Sequence, residues 1–245
     1  MQLWQREDLK EVSFMKYRKL FKVSDNMCGL YQALKPSGVL DLLQSAAGEH
    51  ADMLGIGYNS LKEKGYAFVL ARVKYDLFRK IGRYEELAIV TEPLAPGRVD
   101  FDRDFEIYDN TSGEKIGIGT SKWIIIDIAT RRICRSSVLQ YPCDVREVGN
   151  YDSFDKLAFD DSGLDNCFTY QVRHNDVDFL GHMNNTKYAD AIRFDKPSKH
   201  FEINFLHEIK LGEELLIKHD GNNYIGYNGD TVSFRVYTEY FEGNE

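Results

Sequence analysis

The chain contains two related stretches, VKYDLFRKIG at Val73–Gly82 and INFLHEIKLG at Ile203–Gly212. Each is a strand-like run that ends at a glycine and leads to a second run opening with two glutamates, EELAI at Glu85–Ile89 and EELLI at Glu213–Ile217. Similarity of this kind within one chain is typical of a repeated structural unit. The sequence therefore predicts a fold that is built twice.

The segments before these stretches support the same repeat. FKVSD at Phe21–Asp25 parallels VRHND at Val172–Asp176, and a helix-compatible segment follows each of them, at Ser37–Leu54 and at Asn185–Phe194. In the first of these helices, Ser37 stands where an N-cap is expected and Gly55 follows the last helical residue. Both halves thus have the order strand, loop, helix and then several strands.

The strands are legible from their periodicity. Apolar and charged residues alternate over Val99–Ile107, which is typical of a strand with one buried face. Asp109–Gly113 has the composition of a hairpin turn. Trp123–Ile126 is continuously apolar and predicts a central strand, and Val232–Thr238 alternates again.

A long helix wrapped by an antiparallel sheet is the hot-dog arrangement, in which helix and sheet each bury one face. The sequence predicts an α+β, tandem (double) hot-dog fold. The bridge between the halves is expected in 136–165, which is rich in Asp, Pro and Gly and poor in periodicity. We place the first domain at 1–148 and the second at 149–245.

Composition excludes several functional classes. A net charge of −8 and the lack of a dense basic cluster argue against nucleic-acid binding, and no apolar run has the length needed to span a membrane. The four cysteines form no CxxC pair and no metal-ligand spacing is present, so we expect neither metal nor cofactor. The opening residues lack the apolar core of a secretion signal, which favours a cytoplasmic location.

The polar cluster of the chain lies in the second half, in VRHNDVDFLGHMNNTKYADAI at Val172–Ile192. It groups carboxylates, an imidazole and two amides around one glycine: Asp176, Asp178, His182, Asn184 and Asn185 around Gly181. Asn185 and Thr186 are candidate caps for the helix that follows. Backbone N–H groups near Gly181–Met183, at the start of that helix, could stabilise a developing negative charge. This combination indicates acyl-transfer chemistry.

Three motifs resemble those of the acyl-acyl carrier protein thioesterases of the bacterial and plant type. Asp176–Asn185 is similar to the family's D-x-D-x-N-x-H-x-N-N pattern. Arg103–Ile107 followed by Gly119–Trp123 is the second motif, and Asp127–Arg132 is similar to the family's D-x-x-T-R-R. The resemblance spans roughly residues 15–240.

The resemblance implies hydrolysis of a fatty acyl thioester on acyl carrier protein, with Asp178, His182 and Glu208 as catalytic residues. Leu180 occupies the position of a family asparagine, and Ile209 stands where some relatives have a cysteine. We expect Glu208 or Asp178 to activate a water molecule, and these two alternatives remain open. We expect His182 to polarise the carbonyl group or to share the hydrogen bond of the water.

The first half lacks a His–Asn–Asn sequence and is expected to bind the acyl chain. The predicted substrate-binding residues are Gly181, Asn184 and Asn185 in the cluster and Leu40, Leu43 and Trp123 in the first half, with Met53, Leu54 and Val69 as further candidates for the acyl site. Acyl carrier protein is acidic as a class, so we expect it to dock on a basic group. The densest such group is Arg131, Arg132 and Arg135.

Two other functions fit the same residues. The first is hydrolysis of acyl-CoA, which the catalytic motif alone would permit. The second is acyl binding without catalysis, which Leu180 in place of the family asparagine favours. The state of assembly is also open, with a homodimer as one possibility.

Overall fold

The computed structural model describes residues 15–143, 149–152, 154, 156–194 and 196–242. The described helices and strands are, in chain order, β1 (Tyr17–Lys22), α1 (Pro36–Met53), α2 (Tyr58–Glu63), β2 (Tyr66–Leu77), β3 (Glu86–Pro93), β4 (Asp100–Asp109), β5 (Lys115–Asp127), β6 (Asn166–Gln171), α3 (Lys187–Asp190), β7 (Ser198–Phe205), β8 (Glu214–His219), β9 (Asn223–Asn228) and β10 (Thr231–Tyr240).

The described strands form one antiparallel sheet in the order β1-β3-β4-β5-β2-β7-β10-β9-β8-β6. Read outward from the centre, the first five strands repeat the order of the last five, because β2, β5, β4, β3 and β1 match β7, β10, β9, β8 and β6. The halves join through β2 and β7, where Val73 pairs with Ile203. These two residues belong to the stretches that predicted the duplication.

Helix α1 packs on the first half of the sheet. Its buried face includes Leu40, Leu43 and Ala47, and Gly55 ends it with a φ of 72°. The predicted helix is therefore confirmed, but the predicted N-cap is wrong. Lys35 is the N-cap, Pro36 occupies the first turn and Ser37 lies inside the helix. Proline fits the first turn because the N–H that it lacks has no partner there.

The second helix is much shorter than the sequence predicts. We expected Asn185–Phe194, but α3 contains only four residues, and its N-cap Thr186 makes no capping bond from its side chain. Asn184 Oδ1 accepts bonds from Thr186 N and Oγ1 at 3.0 and 3.2 Å, which holds this backbone in a turn. At the other end Pro197, which cannot continue a helix, directly precedes β7.

The predicted strands are confirmed where the alternation was clear. β4 and β10 cover the two alternating segments, and β5 lies inside the sheet between β4 and β2. The turn after β4 forms because Asp109 Oδ1 accepts bonds from Thr111 N and Ser112 N. Apolar residues of both halves share one core, in which the Tyr75 and Phe201 rings stack at 5.7 Å between centroids.

The link between the halves contains no strand and only one short 3-10 turn, Ser136–Val138, in its described part. The proposed division after residue 148 falls beside 144–148, which lie outside the described residues, as do 1–14. Within the described chain, no helix is long and apolar enough to cross a membrane, and the four cysteines form no disulfide.

Candidate active site

A compact loop presents the polar cluster. Val177 and Met183 form an isolated antiparallel bridge, and Gly181 turns the chain between them with a φ of 81°. Asp178 Oδ1 accepts hydrogen bonds from Leu180 N at 2.8 Å and His182 N at 3.3 Å. The Asp178 side chain thus fixes the loop that carries His182.

His182 faces Glu208 as the resemblance implies. Met183 N donates to Ile209 O at 2.7 Å, which fastens the loop to the segment after β7. This contact places His182 Nε2 3.4 Å from Glu208 Oε2. The His182 and Glu208 side chains are 28% and 42% exposed, so the pair is accessible to a substrate that arrives from solvent.

Arg131 also belongs to this site, although the sequence indicated only a docking role for it. Its Nη2 lies 2.6 Å from Glu208 Oε2. The turn after β5 positions Arg131, because Asp127 Oδ1 accepts bonds from Thr130 N and Oγ1 and Arg131 has a φ of 56°. The T-R-R motif marked this turn, but nothing in the sequence indicated which residue it would reach. Arg132 and Arg135 remain exposed on the same segment.

The backbone N–H groups that we expected at an oxyanion site are already occupied. Gly181 N donates to Asp178 O, His182 N to Asp178 Oδ1 and Met183 N to Ile209 O. They also precede α3 by several residues, so no helix N-terminus points them at a ligand. This prediction is wrong because two of these N–H groups bond to Asp178 within the loop and the third bonds to Ile209.

The two asparagines have different surroundings. Asn184 braces the loop, since its N donates to Asp176 O and its Oδ1 holds Thr186. Asp176 is buried and accepts a bond from Arg173 N at 2.8 Å, in agreement with a structural role. Within the described chain, the Asn185 side chain makes no hydrogen bond, and this residue lines an apolar cavity.

That cavity unites the predicted substrate-binding residues of the first half. Leu40, Leu43 and Trp123 line it together with Asn185. The remaining lining residues are Gln44, Leu70, Val73, Phe105 and Ser121. Its volume of about 20 Å³ holds about one water molecule, so a bound acyl chain must displace side chains. The further candidates Met53, Leu54 and Val69 all lie outside the cavity lining, and Met53 is 60% exposed.

The first half repeats the backbone of the site without its functional groups. Leu34 N donates to Ile81 O at 2.7 Å, the counterpart of the bond from Met183 N to Ile209 O. By this correspondence Ala33 occupies the place of His182, and Lys80 that of Glu208. An alanine cannot polarise a carbonyl group and a lysine cannot replace the carboxylate.

The described residues contain no group of three or more His, Cys, Asp or Glu side chains that could hold a metal ion. The chemistry that this arrangement allows is acid–base chemistry by the His182–Glu208 pair, with His182 three residues along the chain from Asn185 in the cavity lining. Phe179 and Leu180 add exposed apolar surface at the loop that carries His182, and Phe179 packs edge-on against Tyr58 with 5.2 Å between ring centroids.

Comparison with known proteins identifies the family of this chain. Residues 15–138 match the family described as acyl-ACP thioesterase N-terminal domain, and residues 161–223 match the acyl-ACP thioesterase C-terminal domain. An oleoyl-acyl carrier protein thioesterase of Coriandrum sativum is 24% identical over 218 residues. That alignment covers 80% of this chain and 57% of the relative, so the chain spans little more than half the length of this curated relative.

Solved structures show the same fold. An acyl-ACP thioesterase from Bacteroides thetaiotaomicron superposes with a TM-score of 0.78 at 24% identity, covering 91% of this chain and 97% of that one. A 12:0-ACP thioesterase from Umbellularia californica gives a TM-score of 0.74 at 21% identity, with 92% and 96% covered. Because the two family domains together match most of the chain, it belongs to the acyl-ACP thioesterase family.

Proposed function

We propose that this protein hydrolyses the thioester of fatty acyl-acyl carrier protein, releasing a free fatty acid and the holo-carrier protein. The observation that supports this most directly is the contact between His182 Nε2 and Glu208 Oε2. In a family of acyl-ACP thioesterases, a pair of this kind on the loop that also contributes Asn185 to an apolar cavity fits thioester hydrolysis.

We propose that the architecture is a double hot dog, with residues 1–148 binding the acyl chain and residues 149–245 supplying catalysis. The repeated strand order supports the duplication. The division of labour is supported by the cavity, whose lining residues come from the first half apart from Asn185. The catalytic candidates Asp178, His182 and Glu208 all lie in the second half.

Glu208 is the stronger candidate for the general base. Asp178 Oδ1 is committed to two backbone N–H groups, which suits a positioning role. Glu208 takes a proton from water as the water oxygen attacks the thioester carbon. His182 beside it orients the water or polarises the carbonyl group. The C–S bond then breaks, and the departing thiolate takes up a proton.

The carbonyl oxygen becomes negatively charged in this step and needs a hydrogen-bond donor. The Asn185 amide is our candidate, because its side chain is uncommitted among the described residues and faces the cavity. It replaces the N–H groups of Gly181–Met183 in this role. An amide side chain can donate this hydrogen bond while it stays uncharged.

Acyl carrier protein is the proposed partner. Arg132 and Arg135 are exposed and could meet an acidic surface, whereas Arg131 is drawn into the site by Glu208. A cytoplasmic location and a homodimer both stay predictions.

The test is a hydrolysis assay of the purified protein on acyl carrier protein and CoA thioesters of the same acyl chains. A higher kcat/KM on the carrier-protein substrates, lost in His182→Ala, is the expected result. Equal or better hydrolysis of the CoA thioesters would favour the acyl-CoA alternative. Retention of intact acyl substrate without turnover, seen by mass measurement, would favour a binding protein.

A further inference from the structure

A buried arginine lies beside the cavity, and no described carboxylate forms an ion pair with it. Arg103 in β4 is 7% exposed. Its Nη1 donates to His50 Nδ1 at 3.0 Å and to Thr91 Oγ1 at 3.2 Å. Burial lowers the pKa of Arg103 to about 10, so the group stays positive at neutral pH. Isolated buried charges are costly, and most are paired.

The position of Arg103 relates this charge to the acyl site. Phe105, two residues along β4 and on the same face of the strand, lines the cavity. Ser121, the cross-strand partner of Arg103, lines it as well. His50 lies on α1, the helix that contributes Leu40 and Leu43 to the lining. Arg103 is therefore adjacent to the cavity wall.

This wall belongs to a strand that is well separated in the sheet from the one that leads to Glu208. The strand order β4-β5-β2-β7 puts β4 three strands from β7, and Glu208 follows β7. Neighbouring strands are separated by about 4.8 Å, so β4 and β7 are about 14 Å apart across the sheet. An acyl chain that runs from the thioester under α1 points its far end toward Arg103.

A positive charge at this end discriminates between kinds of acyl chain. Each buried methylene strengthens binding while the wall is apolar. A methyl end that reaches the guanidinium instead separates this group from its hydrogen-bond partners and offers none in return. A carboxylate at the same place forms a charge-assisted, bidentate pair.

We propose that Arg103 closes the far end of the acyl site, so that the site excludes apolar chains long enough to reach it and accepts chains of that length when their far end carries a carboxylate. This inference rests on the proposed thioesterase function. It assigns Arg103 to substrate specificity, whereas His182 and Glu208 act on the thioester.

The experiment measures kcat/KM on carrier-protein thioesters from hexanoyl to hexadecanoyl and on the matching ω-carboxyl chains. In the wild type we expect a fall of about tenfold or more beyond a limiting length, and recovery when the chain of that length ends in a carboxylate. Arg103→Met should extend the apolar series to longer chains and abolish the ω-carboxyl advantage. Arg103→Lys, which keeps the charge, should retain the limit.

Two results would overturn the inference. One is an apolar length limit that is the same in wild type and folded Arg103→Met. The other is wild-type enzyme that gains nothing from the ω-carboxyl group at any length, a comparison that requires no variant. Thermal unfolding of each variant establishes that it is folded. A wild type that hydrolyses no carrier-protein thioester counts against the proposed function itself, whereas hydrolysis with an unchanged profile counts against Arg103 alone.

Discussion

Arg131 and His182 meet the same oxygen of Glu208. Arg131 Nη2 lies 2.6 Å from Glu208 Oε2, and His182 Nε2 lies 3.4 Å from that atom. Arg131 comes from the first half of the chain, and His182 and Glu208 come from the second. The candidate catalytic carboxylate is thus oriented from both halves, so the site is complete only when the halves are packed together.

Replacing Arg131 tests this orientation. In Arg131→Gln we expect kcat to fall about tenfold, because Glu208 loses the donor that fixes its oxygen, while KM changes little. Arg131→Lys should recover part of the loss, since it keeps a charged donor but not the planar geometry of the guanidinium. Steady-state kinetics on a carrier-protein thioester provide both constants. A rise in KM with kcat unchanged would instead indicate that Arg131 contributes to docking of the carrier protein.

Replacing His182 tests the catalytic assignment. We expect His182→Ala to lower kcat/KM by about 10²–10⁴-fold, the usual contribution of acid–base assistance. The matched control is His207→Ala, because His207 is near in sequence to Glu208 but its Nδ1 contacts Val232 O at 2.8 Å. Control activity should stay close to that of the wild type. Equal activity of the two variants would remove His182 from the mechanism.

Carrier-protein docking is tested at the two exposed arginines. The double variant Arg132→Glu, Arg135→Glu should lower kcat/KM on acyl carrier protein about tenfold at low salt, because like charges now face each other. The difference from wild type should shrink as salt is added. A short acyl-pantetheine thioester serves as the carrier-free control. An equal loss on that substrate would show damage to the site and argue against docking there.

The conformation of the loop that carries His182 requires a glycine at position 181. Its φ of 81° is in the left-handed region, which costs a residue with a side chain about 1–2 kcal/mol. We expect Gly181→Ala to lower the unfolding free energy by about that amount and to reduce kcat, although a Cβ there meets no atom within 4 Å. Gly48→Ala is the control. Gly48 is an exposed helical position, where alanine should stabilise by about 0.5–1 kcal/mol. Chemical denaturation measures both.

Glu202 gives the protein a pH-dependent stability. Burial raises the pKa of this carboxyl group above its ordinary value of 4.5, although Lys74 and His200 oppose the shift. Its contribution to stability is therefore fully present below pH 4.5 and is lost as the pH rises through the folded-state value. Glu202→Gln cannot ionise, so we expect it to become more stable relative to wild type as the pH is raised toward neutrality. The exposed Glu214→Gln should show no such trend in melting temperature, and a flat difference for Glu202→Gln would contradict the prediction.

Much of the fold could be predicted because the relevant signals are local. The alternation in Val99–Ile107 and the apolar stripe of α1 record which face of each element is buried, and burial acts on each residue separately. The same holds for the duplicated stretches that end at Gly82 and Gly212. The ends of short elements such as α3 are harder to predict, because side-chain hydrogen bonds such as those of Asn184 compete with helix formation.

The polar cluster was equally visible, since Asp178, His182 and Asn185 lie within a few residues of each other. The hydrogen bonds within the cluster could not be predicted. The sequence suggested that the N–H groups of 181–183 could bind an oxyanion, but in the structure they donate hydrogen bonds to Asp178 and Ile209. The sequence left Asp178 and Glu208 as alternatives for the general base, and the two backbone hydrogen bonds that Asp178 Oδ1 accepts favour Glu208.

The sequence by itself determined the duplicated α+β plan, the location of the reactive cluster and the family. Only the tertiary structure decided that Arg131 contacts Glu208, that Asn185 lines the cavity of the first half and that Arg103 contacts His50 of α1. The physical reason is that the hydrophobic periodicity involves only residues that are close in sequence, whereas these contacts join distant segments. Strand order and register bring those segments together, and the local sequence pattern does not specify which side chains then meet.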